Sequence, residues 1–308
     1  MREFHLEERP TSFKQVVGQE TACQQLIALG KSEAGVPHCL LFSGPSGCGK
    51  TTLARIVRNK LKCSDSDFCE VNAADNRGID MVREIQGRVG LAPIRGDSRV
   101  WLIDEAHAMT GDAQGAFLKL LEEPPNHVYF MLATTNPEKL KTTIKTRCTE
   151  IKVRELTESE IIGLVNRVAE DHDGKLSKDV AEKLAEVAEG SARKALVLLE
   201  QIIGIENEKQ QIQTLQNANA KRAAFEIAQA LMARKPWAHI AEIIRSIDDE
   251  PEGVRYLILA YFTKVALGGG KQAEFAIEVM ESFQYNYFDT KKAGLVISCF
   301  RACAGYKM

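Results

Sequence analysis

Short, unbroken apolar runs alternate with segments of helical period over the first half of the chain. The runs Cys39–Ser43, Phe68–Asn72, Arg99–Ile103, Val128–Ala133 and Glu150–Val153 predict strands. Continuous apolar content marks strands covered on both faces, so the alternation predicts a parallel α/β sheet with its ligand chemistry at the carboxyl ends of the strands. From Leu156 onward the period is helical only. Thr157 and Glu160 have capping-box spacing, and Ser177 is placed to cap a second helix whose Val180, Leu184, Val187 and Ala188 stripe ends at Gly190. A third helix is predicted from about Ser191. The polar stretch G-I-E-N-E-K-Q-Q, residues 204–211, reads as a linker, and the helical pattern beyond it breaks at Pro236, Pro251 and Gly268–Gly270. Three modules follow: an α/β core over 1–155, a small helical module over 156–204 and a larger one over 205–308.

Composition agrees with more than one core. At 308 residues the chain exceeds the roughly 250–300 residues at which single cores stop growing. With 44% hydrophobic and 27% charged residues, disorder is excluded as the main state. Charge changes the picture little: 40 Lys+Arg against 42 Asp+Glu give −2, so any nucleic-acid contact needs a segregated basic face. Aromatics, at 6%, are too few for a base-stacking sheet. The longest apolar run, Tyr256 to Phe262, is far shorter than the roughly 18–20 residues that cross a bilayer. The N-terminal M-R-E-F-H-L-E-E-R-P lacks the apolar region of a secretory signal, and the 8 cysteines show no disulfide-framework spacing. A cytoplasmic protein with reduced thiols is expected.

Residues 44–52 read G-P-S-G-C-G-K-T-T, so Gly44, Gly49, Lys50 and Thr51 fill G-x-x-x-x-G-K-[ST] between a predicted strand and a predicted helix. The loop Pro45–Gly49 and the following turn, through backbone N–H groups of Ser46, Gly47, Cys48, Gly49 and Thr52, would cradle phosphates; Lys50 would neutralise them and Thr51 would ligate Mg²⁺. The third strand ends in Asp104-Glu105. Asp104 can hold Mg²⁺ and Glu105 can polarise the attacking water, although carboxylates also suit helix starts. Asp104-Glu105-Ala106-His107 spells the DEAH box of a helicase class, but no second α/β motor domain follows; His107 is read as a residue at a helix start, without a catalytic role. Thr135, at the end of the fourth strand, can reach a phosphate or the water, with turn chemistry before Pro137 as the plainer reading.

These motifs, together with L-L-E-E-P-P (120–125), A-T-T-N-P-E-K-L (133–140), T-R-C (146–148) and G-S-A-R (190–193), resemble the AAA+ sliding-clamp loader ATPases, with the nearest likeness to bacterial gamma/tau subunits. V-N-A-A-D-N-R-G-I-D (71–80) is similar instead to the small subunits of replication factor C. The resemblance covers roughly residues 9–200. It implies a P-loop ATPase core, a helical lid and a C-terminal helical collar for oligomerisation. It places Arg9, Pro10, Val16 and Val17 beside adenine, Thr135 at the sensor-1 position, Arg147 as an arginine finger for a neighbouring subunit and Arg193 as the lid arginine. DNA contacts are implied at Arg77, Gly78, Ile79, Arg83, Thr110 and Gln114, and an apolar contact with the clamp at Leu91 and Ile94.

Two departures stand out. The bacterial family's four-cysteine zinc module is reduced here to Cys63 and Cys69, too few for a tetrahedral site, so no zinc is expected. The family's K-[WY]-R-P start reads E-E-R-P, which weakens the adenine-side contact. The implied protein is an ATP- and Mg²⁺-dependent subunit of a clamp loader, in a ring (a pentamer) with other subunits, acting on a sliding clamp and primer-template DNA. Its length leaves no room for the polymerase-binding extension of longer relatives and would suit a phage. The alternatives are another AAA+ DNA motor, such as a branch-migration motor or helicase loader, and a non-hydrolysing scaffold subunit. Intact Lys50, Asp104, Glu105 and Arg147 weigh against the scaffold.

Overall fold

The computed structural model describes residues 3–33, 35–245, 247, 251–270 and 272–305. The strands are β1 (Cys39–Ser43), β2 (Phe68–Asn72), β3 (Arg99–Asp104), β4 (Val128–Thr134) and β5 (Thr149–Lys152). They differ from the predicted runs by a residue at some ends. Among the described residues they form one sheet in the order β2-β3-β4-β1-β5, with every neighbouring pair parallel.

The helices of the first half are α1 (Phe4–Glu7), α2 (Glu20–Lys31), α3 (Lys50–Lys60), α4 (Ile79–Val89), α5 (Gly111–Glu122) and α6 (Thr142–Lys145). They cover both faces of the sheet, which is why the strands read as solid apolar runs. Leu41, Trp101, Ile103, Phe130 and Leu132 point to the face packed by α4 and α5 through Met81, Ile85 and Phe117. Leu40, Phe42, Leu102 and Met131 point to the opposite face, against Leu53 and Val57 of α3 and Leu26 of α2. The strand period of two sorts adjacent residues to opposite faces.

Three further helices follow: α7 (Glu158–Asp171), α8 (Lys178–Ala188) and α9 (Ala192–Ile202). The first two start at their predicted caps and the third next to Ser191, as expected. The Thr157 hydroxyl accepts from Glu160 N–H (3.3 Å) while Glu160 Oε2 accepts from Thr157 N–H (2.8 Å), and Ser177 and Ser191 cap the next two. After α8 the chain reverses through Glu189 and Gly190, both at positive φ.

The chain divides into two compact units, Met1–Gly204 and Ile205–Met308. The second is built from α10 (Glu208–Met232), α11 (Trp237–Arg245), α12 (Pro251–Leu267), α13 (Ala273–Ser282) and α14 (Lys291–Ala304), around a core including Leu231, Ile258, Phe262, Phe283 and Leu295. The linker expected over residues 204–211 is shorter than predicted, since α10 begins inside it at Glu208. The Asn207 side chain accepts from Lys209 and Gln210 N–H (3.0 and 3.3 Å), turning a polar stretch into a capped first turn.

Candidate nucleotide-binding site

The loop after β1 is shaped by contacts that only glycine permits. A Cβ on Gly44 (φ 146°) would stand 2.0 Å from the Val153 carbonyl oxygen, and one on Gly47 (φ 75°) would stand 2.1 Å from Ser191 Oγ. The loop is thus pressed between the end of β5 and the start of α9, where Arg193 N–H also donates to the Gly47 carbonyl (3.3 Å). Gln19, buried, ties the same region from below: its amide donates to the carbonyls of Arg154 (2.7 Å) and Cys48 (3.3 Å) and accepts from Arg154 N–H (3.2 Å).

Lys50 opens α3 and is buried, with Nζ donating to the carbonyls of Gly44 (2.8 Å) and Pro45 (2.7 Å). Burial lowers its pKa, and the carboxylates of Glu105 and Asp104 work against that shift. Thr51 Oγ1 donates to Asp104 Oδ2 (3.2 Å), so the hydroxyl and carboxylate expected to share a cation are already side by side although they lie on different elements. Asp104 Oδ1 in turn accepts from Glu105 N–H (2.9 Å). Glu105 sits in the left-handed region (φ 49°, ψ 42°), a conformation that costs a non-glycine residue about 1–2 kcal/mol and turns its side chain off the end of β3.

One pocket gathers most of the predicted nucleotide residues. Ser46 through Thr52 form its floor, Asp104 and Glu105 one wall, Arg9, Pro10, Val16 and Val17 another, and Arg193 its roof. Burial lowers the Arg9 pKa, with repulsion from Arg55 adding to it. Pro45 does not line the pocket but supplies a carbonyl to Lys50. Sequence reasoning missed His5, Glu8, Gln15, Leu164 and Arg167, which also line it. Glu8 is held there by His172 at the end of α7 (Nε2–Oε1 3.0 Å), whose ring stacks on Phe4. These contacts join residues far apart in the chain, and no local spacing announces them.

The donor set fits a nucleotide with a divalent cation. The loop has the close approaches of a backbone cradle, Thr51 and Asp104 converge as hard oxygen ligands, and Lys50, Arg9, Arg167 and Arg193 surround the space with positive charge.

The remaining predicted residues lie outside this pocket. Thr135 Oγ1 is 3.5 Å from Glu105 Oε2 and donates more closely to Asn136 Oδ1 (3.0 Å). Arg147 is paired with Glu122 (2.6 Å) and donates to the Thr143 carbonyl (3.1 Å), away from its own chain's phosphate loop. Arg77 and Arg83 are exposed, Gly78 and Ile79 partly so; Arg83 pairs with Asp80 (2.8 Å). Thr110 is exposed and caps α5 by accepting from Ala113 N–H (3.3 Å). Leu91 and Ile94 are 56% and 69% exposed on one loop.

Gln114 requires correction. It is buried on the inner face of α5, donating to the carbonyls of Met109 (3.2 Å) and Lys139 (3.4 Å) and accepting from Lys141 N–H (2.9 Å). With both ends of the amide used to hold the 139–141 turn, it has nothing to offer a DNA phosphate. The resemblance implied it as a DNA contact, but here it shares the buried stripe of α5 with Phe117.

A parallel sheet with a phosphate loop after one inner strand and an acid pair after another, followed by a helical segment, is the architecture of the AAA+ class of P-loop proteins. The fold agrees: the Thermotoga maritima RuvB Holliday junction branch migration motor superposes with a TM-score of 0.59 at 20% identity, covering 84% of this chain and 91% of that one. Family models described as "DNA polymerase III, delta subunit" and "Sigma-54 interaction domain" match residues 64–157 and 16–89. Among curated proteins, the DNA polymerase III subunit tau of Bacillus subtilis is 37% identical over 218 residues, 63% of this chain and 38% of that one. Subunit gamma of Buchnera aphidicola is 33% identical over 62% of this chain and 58% of its own length, and gamma/tau of Mycoplasma genitalium 31% over 82% and 46%. The chain is therefore a relative of the DNA polymerase III gamma/tau subunits, and it spans 38 to 58% of the length of these three.

Proposed function

We propose that the chain is an ATP-hydrolysing subunit of a clamp loader, placing a sliding clamp on primer-template DNA. The observation that carries this reading is the convergence of Lys50, Thr51, Asp104 and Glu105 on one pocket in a relative of gamma/tau subunits. Thr51 and Asp104 would hold Mg²⁺, which when bound screens phosphate charge. Lys50 and the backbone of residues 45–51 bind and orient the phosphates, and Glu105 orients the attacking water and takes up its proton. Arg193, on the lid, senses phosphate from above. Arg147, turned away from its own pocket, serves the site of a neighbouring subunit in a ring, which we take to be a pentamer held by the collar of residues 205–308.

Arg77, Gly78, Ile79, Arg83 and Thr110 face the DNA backbone. Contacts of this kind grip phosphates without reading sequence, as a protein working at any primer end requires. Leu91 and Ile94 meet the clamp.

ATP turnover measured with and without primed DNA and candidate clamps tests the reading. Glu105→Gln should keep nucleotide affinity and lose turnover by at least about 100-fold. Arg147→Ala should lose the DNA-stimulated rate while an isolated chain still binds ATP. Turnover indifferent to both DNA and clamp would refute a loader.

A further inference from the structure

Two charged side chains line the nucleotide pocket without belonging to its phosphate loop or its acid pair. Glu8 follows α1, and Arg167 lies on α7 one turn after Leu164, which lines the same pocket. A nucleotide whose phosphates sit on residues 46–52 must lay its base away from that loop, among the apolar side chains of Val16, Val17, Leu164 and Leu196. Glu8 and Arg167 come from the elements that supply this apolar wall, since α1 packs on α9 and is tied to the end of α7.

The Glu8 carboxylate is fixed at one oxygen only. Its Oε1 accepts from His172 Nε2 (3.0 Å), which leaves Oε2 without a hydrogen bond among the described residues. His172 is itself well held. Its N–H donates to the carbonyls of Val168 and Ala169 (both 3.2 Å), and its ring stacks on buried Phe4 at 4.2 Å. Arg167 makes no hydrogen bond or ion pair among the described residues, so the pocket also carries N–H donors to spare.

A single free carboxylate oxygen discriminates between purines. An ionised carboxylate only accepts hydrogen bonds. Guanine offers a carboxylate two adjacent donors, a ring N–H and an amino group, and satisfying both takes both oxygens. Adenine offers one exocyclic amino group and needs one oxygen, with acceptor ring nitrogens beside it for a donor such as Arg167. Guanine placed in the adenine pose would set its keto oxygen against the carboxylate, acceptor facing acceptor.

We propose that Glu8 is a specificity-determining residue that accepts from the exocyclic amino group of adenine through Oε2, with His172 as the positioning residue that occupies Oε1. The proposal rests on the reading of the pocket as an ATP site given above.

The test compares ATP, GTP and purine riboside triphosphate, which is ATP without the amino group, on the full chain with Mg²⁺. Each displaces a ribose-labelled fluorescent ATP analogue. The parent should bind ATP about 10-fold more tightly than purine riboside triphosphate and about 100-fold more tightly than GTP. Glu8→Ala should bring ATP down to the level of purine riboside triphosphate, whose own Kd stays within about twofold of the parent value. His172→Phe keeps an aromatic ring for Phe4 and releases Oε1, so the gap between ATP and GTP should narrow. Lys50→Ala, on the phosphate loop, should weaken all three nucleotides alike.

Equal affinity of the parent for ATP and purine riboside triphosphate, or an equal loss for all three nucleotides in Glu8→Ala, would overturn the role of Glu8. With Lys50→Ala weakened as expected, either result condemns this inference alone. A parent that binds none of the three, or affinities untouched by Lys50→Ala, overturns the ATP site and the inference with it. Should Glu8→Ala fail to fold, the parent ratios and His172→Phe decide: a narrowed gap between ATP and GTP supports the role, and an unchanged gap overturns it.

Discussion

Each unit buries one ion pair to hold a turn that displays apolar side chains, but the two turns are secured differently. In the first unit, Asp67 is fully buried and accepts from the Ser64 hydroxyl (2.7 Å), Ile94 N–H (2.7 Å), Arg95 N–H (2.9 Å) and Arg99 (3.2 Å). Burial alone would raise this carboxyl, yet the hydrogen bonds outweigh it and hold its pKa well below the usual range. The loop so held exposes both Leu91 and Ile94. In the second unit, Glu252 pairs with Arg255 and accepts from Tyr287 N–H (2.6 Å), and Arg255 donates to the Phe283 carbonyl (3.0 Å). That turn exposes Tyr285 and Phe288 but buries Phe283 and Tyr287. The lesson is one of anchoring. The second turn has apolar anchors beside its ion pair, whereas the first presents its apolar residues outward and is held by polar contacts: Asp67, Arg99 donating to the Arg88 and Ala92 carbonyls (3.0 and 3.2 Å), and His127 against the Leu91 carbonyl (3.0 Å).

Breaking each pair should expose that contrast. Asp67→Ala leaves Arg99 unpaired and two N–H groups unsatisfied, and should destabilise the first unit by about 3–5 kcal/mol. With one tryptophan in each unit, Trp237→Phe leaves Trp101 to report this unfolding and Trp101→Phe leaves Trp237 to report the other unit. Arg255→Ala should cost the second unit less, about 2 kcal/mol, because Phe283 and Tyr287 stay anchored. An equal or larger loss than for Asp67→Ala would contradict the anchoring argument.

A smaller effect is expected at the capping box of α7. The hydrogen bond from Arg154, helped by Thr157, pulls the Glu160 pKa down from 4.5 to about 2 against the effect of burial. A depressed carboxylate pKa stabilises the fold above the unfolded value and loses that contribution as pH falls through the folded one. Glu160→Gln should therefore cost about 1 kcal/mol at neutral pH, with the difference from the parent closing as pH drops from 4.5 toward 2 in thermal melts.

Much of the site was legible because its chemistry is local. The phosphate loop, the strand ending in Asp104-Glu105 and the caps at Thr157, Ser177 and Ser191 are each written in a few adjacent residues. What the sequence hid is set by packing. Gln114, which the resemblance placed at the DNA, has its amide satisfied by the 139–141 turn, which comes from a different element. Glu8 and Arg167 enter the pocket from opposite ends of the first unit's chain, and Asp67 reads as one acid in a polar run, S-D-S-D, until Arg99 arrives on the next strand. His107, read as a residue at a helix start, is likewise hydrogen-bonded to Thr134 (3.1 Å), on a strand whose approach the D-E-A-H spelling does not encode.

Position 47 illustrates the limits of reading a motif as a pattern of letters. In G-x-x-x-x-G-K-[ST] it is one of the free places, and phosphate chemistry alone would accept many residues there. The start of α9 does not, since Ser191 occupies the volume that any side chain at 47 would need. The alphabet allowed at this position is thus narrowed by a residue at the far end of the first unit. A variant such as Gly47→Ser would satisfy every motif search while wedging α9 off the loop, so spelling and function part company there.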